Sequence, residues 1–201
     1  MSNVKHIIIS KMMFSNKDLL KKYLILTKEI LVPNLKAQTN KNFKWGLLIG
    51  DEDIDFVKEE LQIDFLAFNC VEKFIEYVIS NNINIQTRHD IDDYMSSIYV
   101  ERIQIEYLNR IDKLGMFLIQ FQPMRVNYHT KKEHLMSKYN DTANSMFLSL
   151  CQKETTRHIF ERQHGQMFEI TNNVVTIPEG YVKWIIHGDN ITCQRTNIYN
   201  N

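Results

Sequence analysis

The chain has few of the residues that usually announce chemistry on their own. Its three cysteines, Cys70, Cys151 and Cys193, are scattered without C-x-x-C spacing. That excludes a zinc framework, and an odd number cannot all pair within one chain, so a reducing compartment is expected. Only six glycines and three prolines punctuate 201 residues, and no glycine-rich phosphate loop, collagen-like repeat or flexible linker stands out. Lysine plus arginine equals aspartate plus glutamate at 24 each, so the net charge is zero. No broad attraction to nucleic acid follows, and a small-molecule or neutral partner is expected instead. No apolar run approaches the 18 or so residues of a membrane span, and MSNVKHIII is too short in its apolar part for a signal peptide. A cytoplasmic protein without stable membrane insertion is the expectation.

What is present is a core. The hydrophobic fraction of 44% and charged fraction of 24% are ordinary for a globular protein, and the length suits one domain better than two. His6, Ile7, Ile8 and Ile9 form a β-branched run that reads as a buried parallel strand within Val4 to Phe14. Asn16 to Leu31 carries apolar residues near helical spacing, with Pro33 expected to close the helix. A second buried strand covers Phe43 to Gly50, a short helix Val57 to Leu61, a third strand Asp64 to Asn69 and a helix Val71 to Ser80. A fourth strand begins at Ile83. Tyr94 to Ile111 reads as a long helix with Asp93 as its N-cap, and Gly115 as its stop. Met116 to Phe121 is the next strand, with Met124 to His129 expected to pair with it around Gln122 and Pro123. Ser145 to Cys151 reads as a helix start, and Val174 to Ile177 and Tyr181 to Ile186 as strands. The alternation predicts an α/β fold with a parallel core and a less regular second half.

The fourth strand leads into the most informative stretch, QTRHDIDDYM. Asp90, Asp92 and Asp93 come where the strand should stop, and ligands of open α/β sheets bind beyond the carboxyl ends of strands. If the chain stayed extended, Asp90 and Asp92 would point the same way and could share one divalent ion. Carboxylate and water ligands suit Mg²⁺ or Mn²⁺. The plainer account is a solvated turn capping the next helix. Asp51 and its acidic neighbours follow the second strand, where such residues can bind ribose hydroxyls or simply favour a helix N-terminus. Phe14, at the end of the first strand, is a candidate wall for a base pocket. Arg88 can pair with a phosphate or hold Asp90. His89 should face away from the site, and Trp45 and Trp184 read as core.

Taken in order, LKAQTNKNFKWGLLIGDE, then Thr87, Arg88, Asp90, Asp92 and Asp93, then Phe147, Ser149 and Leu150, then Trp184, His187, Gly188 and Asn190, the chain resembles the GT-A glycosyltransferases. Within them it is most similar to the rhamnosyltransferase group. The resemblance spans nearly the whole chain and implies a GT-A-like, Rossmann-like mixed sheet flanked by helices in one domain. Residues 1–95 would form the nucleotide-sugar-binding half and 96–201 the acceptor half. It implies a donor such as a UDP, GDP or dTDP sugar, a glycan or lipid-linked glycan acceptor, and Mn²⁺ or Mg²⁺ on Asp92, Asp90 and His187, with Asp90 alternatively on the ribose. The family's catalytic base would be a Glu just after Phe147–Leu150, where this chain has Gln152. Asp141, Glu154 and Asp189 are the alternatives, Asp141 preferred. A non-catalytic scaffold of the same fold is the competing reading. A phosphohydrolase with an aspartyl nucleophile is disfavoured, since residues 7–14 contain no aspartate.

Overall fold

A computed structural model describes residues 4–135, 147–162, 164–178 and 180–187. Two sheets share one molecule. The larger has seven strands in the order β10-β6-β9-β4-β1-β2-β3. These are β1 (His6–Lys11), β2 (Lys44–Leu48), β3 (Leu66–Phe68), β4 (Ile85–Arg88), β6 (Met116–Phe121), β9 (Leu148–Gln152) and β10 (Val174–Ile177). The smaller runs β5-β11-β7-β8, from β5 (Tyr94–Met95), β7 (Met124–Asn127), β8 (Glu133–Leu135) and β11 (Val182–Ile186). Helices α1 (Lys17–Leu26), α2 (Val32–Ala37), α3 (Ile54–Leu61), α4 (Val71–Ser80) and α5 (Tyr99–Leu114) complete the chain.

β3, β2, β1 and β4 are mutually parallel, while β9 runs antiparallel between β4 and β6. Parallel strands need both faces covered. On one face Ile8 of β1 and Met12 just beyond it pack with Leu20 and Leu24 of α1, Val57 of α3 and Ile103 of α5. On the other, Ile7 and Ile9 meet Phe74 and Val78 of α4 and Ile159 and Met167 from the later chain. Gly46 of β2 is needed where it stands, since an added Cβ would come within 2.9 Å of both Ile9 and Phe68.

Several expectations are corrected. Pro33 does not close the first helix. A π-helical turn at Thr27–Leu31 precedes it, and the helix runs on to Ala37 with proline in its first turn, where the missing N–H costs little. Tyr94 and Met95 form a short strand, so α5 starts later, at Tyr99, and its N-cap is Ile98 without a side-chain bond. The cap is supplied from afar: Gln38 Oε1 accepts from Val100 N–H at 3.0 Å, and Gln38 Nε2 donates to Ser96 O at 2.7 Å. β7 does not fold back on β6 but joins the smaller sheet beside β11. The segment expected to start a helix at Ser145 contains β9, a central strand that pairs with β4 and β6 and is buried throughout. Apolar runs this short suit either element, and pairing on both sides decides. β9, from the second half of the sequence, lies between β4 and β6 of the larger sheet.

A chain of buried polar groups crosses the sheet. His6 Nε2 lies 2.8 Å from Thr87 Oγ1, which lies 2.7 Å from Ser149 Oγ, while Gln104 Nε2 approaches His6 Nδ1 at 3.5 Å. Thr87 and Ser149, both motif residues, thus bind β4 to β9. Burial pushes the His6 imidazole down to about 3. The folded state therefore holds His6 neutral, while the unfolded chain takes up a proton below its ordinary value of about 6.5. The contribution is fully present above that value and is lost as pH falls toward about 3, by up to about 1.4 kcal/mol per pH unit. Urea unfolding at pH 7 and pH 4.5 should show a shallower acid loss in His6→Gln than in the unmodified protein.

Candidate functional site

β4 is a short, buried strand whose last residues project from the carboxyl edge of the larger sheet. Its backbone continues only as far as His89, whose N–H donates to Ile9 O at 3.1 Å, and the chain then turns at Ile91–Asp92. Asp90 and Asp92 therefore do not alternate along an extended strand. Ile91, buried at 3% exposure, fastens the turn to the apolar core.

Each aspartate has its own surroundings. Asp92 Oδ2 stands 2.7 Å from His187 Nε2, and both side chains are nearly covered. Asp93 Oδ1 accepts from the backbone N–H of Ile185 at 2.8 Å, which fastens the turn to β11. Burial first, then the charges of Asp92 and Asp90, hold the Asp93 carboxyl well above the usual carboxylate range. Asp90 is half-buried and makes no side-chain hydrogen bond or ion pair among the described residues. His187 meets the ring of Tyr23 edge-on at 5.6 Å, and Tyr23 stacks on Phe14 at 4.7 Å. An aromatic wall from α1 and the end of β1 thus stands behind the Asp92–His187 pair.

The other predicted residues are more dispersed. Asp51 opens a 3-10 turn after β2, is exposed, and accepts from Asn69 Nδ2 at 2.7 Å, one strand and more away from the DIDD turn. Arg88 lies on the α4 face, with its guanidinium 5.3 Å from the Phe160 ring centroid, and desolvation lowers its pKa against the opposing charge of Asp90. Glu154 is not brought to the site. Its strand β9 is antiparallel to β4, so the chain leaves the sheet at the opposite edge, where neighbouring Thr155 bonds Asn82 and Ile83. Gln152, the residue in place of the expected Glu, is buried there and accepts from Thr156 and Arg157 N–H while donating to Arg157 O. It shapes a loop. Asp141, Asp189, Gly188 and Asn190 lie outside the described residues. His89 is fully buried on the α5 face against Tyr99 and Phe147, its Nδ1 2.9 Å from Asp90 O, rather than turned to the other face.

Among the described residues no three His, Cys, Asp or Glu side chains gather as a metal-holding group. Asp92 and His187 are the described side chains that could hold one: they are hydrogen-bonded at 2.7 Å, and a cation entering between them would replace that bond. Mg²⁺ and Mn²⁺ commonly take their remaining ligands from water and phosphate, so two protein donors suffice. The Asp90 carboxylate nearby adds a field that favours a cation.

No family model matches the sequence, and no curated protein matches it. Solved structures do. TarS from S. aureus, residues 1–349 in complex with UDP-GlcNAc, superposes with a TM-score of 0.55 at 12% identity, covering 93% of this chain and 60% of that one. A protein from Bacillus anthracis assigned as a glucose-1-phosphate thymidylyltransferase gives 0.52 at 15% identity, covering 96% and 94%. A cytidylyltransferase from Leptospira borgpetersenii serovar Hardjo-bovis gives 0.52 at 12%, covering 88% and 76%. The chain therefore spans well under two thirds of that TarS fragment. At these identities the likeness establishes the fold, a GT-A-like mixed α/β sheet flanked by helices. No helix among the described residues is long and apolar enough to cross a membrane.

Asp93 offers a direct check of the turn. Asp93→Ala removes the acceptor of the Ile185 N–H and should cost about 1–3 kcal/mol. Asp93→Asn keeps an acceptor and removes the charge. A carboxyl raised by burial contributes fully below its unfolded value of about 3.9, and that contribution is lost as pH rises toward the folded value. Denaturation at pH 5 and pH 8 should show Asp93→Asn gaining on the unmodified protein as pH rises.

Proposed function

We propose that the chain is a nucleotide-sugar-dependent transferase that moves a hexose, rhamnose being the first candidate, from a nucleoside diphosphate to a glycan acceptor. The observation that carries this reading is the Asp92–His187 pair at the carboxyl edge of β4, flanked by Asp90 and backed by Tyr23 and Phe14. Support comes from the fold shared with TarS, whose structure holds UDP-GlcNAc.

In this reading Asp92 and His187 hold Mn²⁺ or Mg²⁺, and a bound ion supplies positive charge to the diphosphate as it departs. Asp90 takes a ribose hydroxyl or a water of the ion. Asp93 keeps the turn docked on β11 and so positions Asp92. Phe14 and Tyr23 exclude water from one side of the donor. The acceptor's proton needs a base, and Asp141 is the candidate retained. Asp51, at the end of β2, is the candidate for the nucleoside edge of the donor.

Nucleotidyl transfer is the second reading, favoured by the 94% coverage of the Bacillus anthracis protein. Against it, residues 11–18 after β1 contain no glycine, so the loop lacks the residue type that lets a backbone wrap a triphosphate. A non-catalytic module is favoured by Gln152, which replaces the expected base and is committed to its own loop.

A thermal-shift panel separates these. UDP, GDP and dTDP sugars, free nucleotides and nucleoside triphosphates are each tested with and without Mn²⁺, since a ligand of the folded state raises apparent stability by mass action. The transferase reading expects an Mn²⁺-dependent shift with one base's diphosphate sugar, lost in Asp92→Asn and weakened in His187→Ala at unchanged fold. A shift with a triphosphate alone would favour nucleotidyl transfer. No shift with any nucleotide would leave the scaffold.

A further inference from the structure

On the α4 face, the carboxyl ends of β1, β2 and β4 open into a cleft of about 500 Å³, on the side of the sheet away from Tyr23 and the Asp92–His187 pair. Lys11, Leu48, Val71, Arg88, Phe160 and Arg162 are among its walls. The register places Arg88 opposite Ile9, and Lys11 stands two residues further along β1, so both cations rise from one face of adjacent strands. Arg88 is half-buried, held with its guanidinium over the Phe160 ring, and has no hydrogen bond or ion pair among the described residues. Lys11 likewise has none, although it is exposed. The carboxylate in the cleft wall, Glu161, is paired with Arg157. Arg162 pairs with exposed Glu169 at 3.3 Å, a kind of contact that exchanges readily, and its Nη1 donates to Glu161 O at 3.1 Å.

A guanidinium drawn out of water without an anion is costly, and an aromatic ring beneath it returns only part of that cost. The charge is answered when something anionic enters the cleft. The planar donor fork of arginine matches two oxygens of a phosphate, and a lysine beside it adds a point charge. Leu48 and Val71 leave an apolar flank for whatever the phosphate is attached to.

We propose that this cleft binds a phosphate ester directly through Arg88 and Lys11, with Arg162 at the rim and without a divalent ion. The ester is a phosphate carried by the acceptor, because the transferase reading, on which this assignment rests, places the donor's diphosphate at the Asp92–His187 pair on the other face. The site itself does not, since its charge and shape suit an anion under any activity.

The test is calorimetric titration of the full chain in EDTA with pyrophosphate, with UDP, GDP and dTDP, and with glycerol 3-phosphate. The unmodified protein is compared with Arg88→Gln and Lys11→Gln. At least one phosphate compound should bind without metal, weaken at higher salt, lose about tenfold or more in Arg88→Gln and lose less in Lys11→Gln. Arg88→Gln removes a partly desolvated charge that no carboxylate contacts and that only Asp90 faces, and should not lower the melting temperature; Lys11→Gln changes an exposed side chain and serves where Arg88→Gln fails to fold. Loss of nucleotide binding in Arg88→Gln would assign the cleft to the donor's diphosphate and overturn its placement at the Asp92–His187 pair. Loss of glycerol phosphate binding with nucleotide binding intact assigns it to a phosphate-bearing acceptor. Absence of metal-free binding, or binding indifferent to both substitutions, overturns the proposal, and Mn²⁺-dependent nucleotide binding in those proteins would leave the transferase reading standing. Pyrophosphate binding without any nucleotide binding, with or without Mn²⁺, would do the reverse.

Discussion

The structure turns on the disposal of charge where its central strand ends. β4 lies between β1 and β9 and is buried almost to its last residue, yet three aspartates follow within five positions. Carboxylates cannot remain at the edge of a core without donors or cations to answer them. Asp93 is answered by the Ile185 N–H and Asp92 by His187, and both partners come from the last described stretch of the chain. The smaller sheet is docked on the larger one partly through these two contacts. The segment that would bind a ligand is thus also the joint between the sheets.

The opposite demand is met inside the sheet. Thr87, Ser149, His6 and Gln104 are polar groups that no solvent reaches, and they satisfy one another across three strands and α5. Such a network favours one strand register over its neighbours, because a slip would strand several donors and acceptors at once. It sits directly behind Arg88, on the residue before it. The position from which Arg88 and the aspartates emerge is therefore set by hydrogen bonds rather than by apolar packing alone, which suits a site that needs side chains held within fractions of an ångström.

The two faces of the sheet present different chemistry at its carboxyl edge. Toward α1 there are carboxylates, an imidazole and aromatic rings; toward α4 there are a guanidinium, an ammonium and an apolar floor. The alternation of side chains along β1 and β4 produces this division, and it places acceptors for a cation on one side and donors for an anion on the other.

Much of the first half was legible from local pattern. β-branched runs, helical spacing and their punctuation placed β1 to β4 and α4 within a residue or two, because parallel strands buried on both faces must be continuously apolar. The aspartates, the late histidine and the aromatic end of β1 stand out by residue type alone. Other features required the tertiary structure. The β9 run reads equally as strand or helix until β4 and β6 pair with it, and the direction of that pairing is what carries Glu154 to the wrong edge. The turn at Ile91–Asp92 depends on Ile91 reaching the core, and the pairing of Asp92 with His187 bridges 95 positions, beyond the reach of any local pattern. Sequence determined which chemical groups this protein has at the ends of its strands; only the packing of the second sheet against the first decided which of them meet, because contacts between distant segments are chosen by the burial of whole faces rather than by neighbours along the chain.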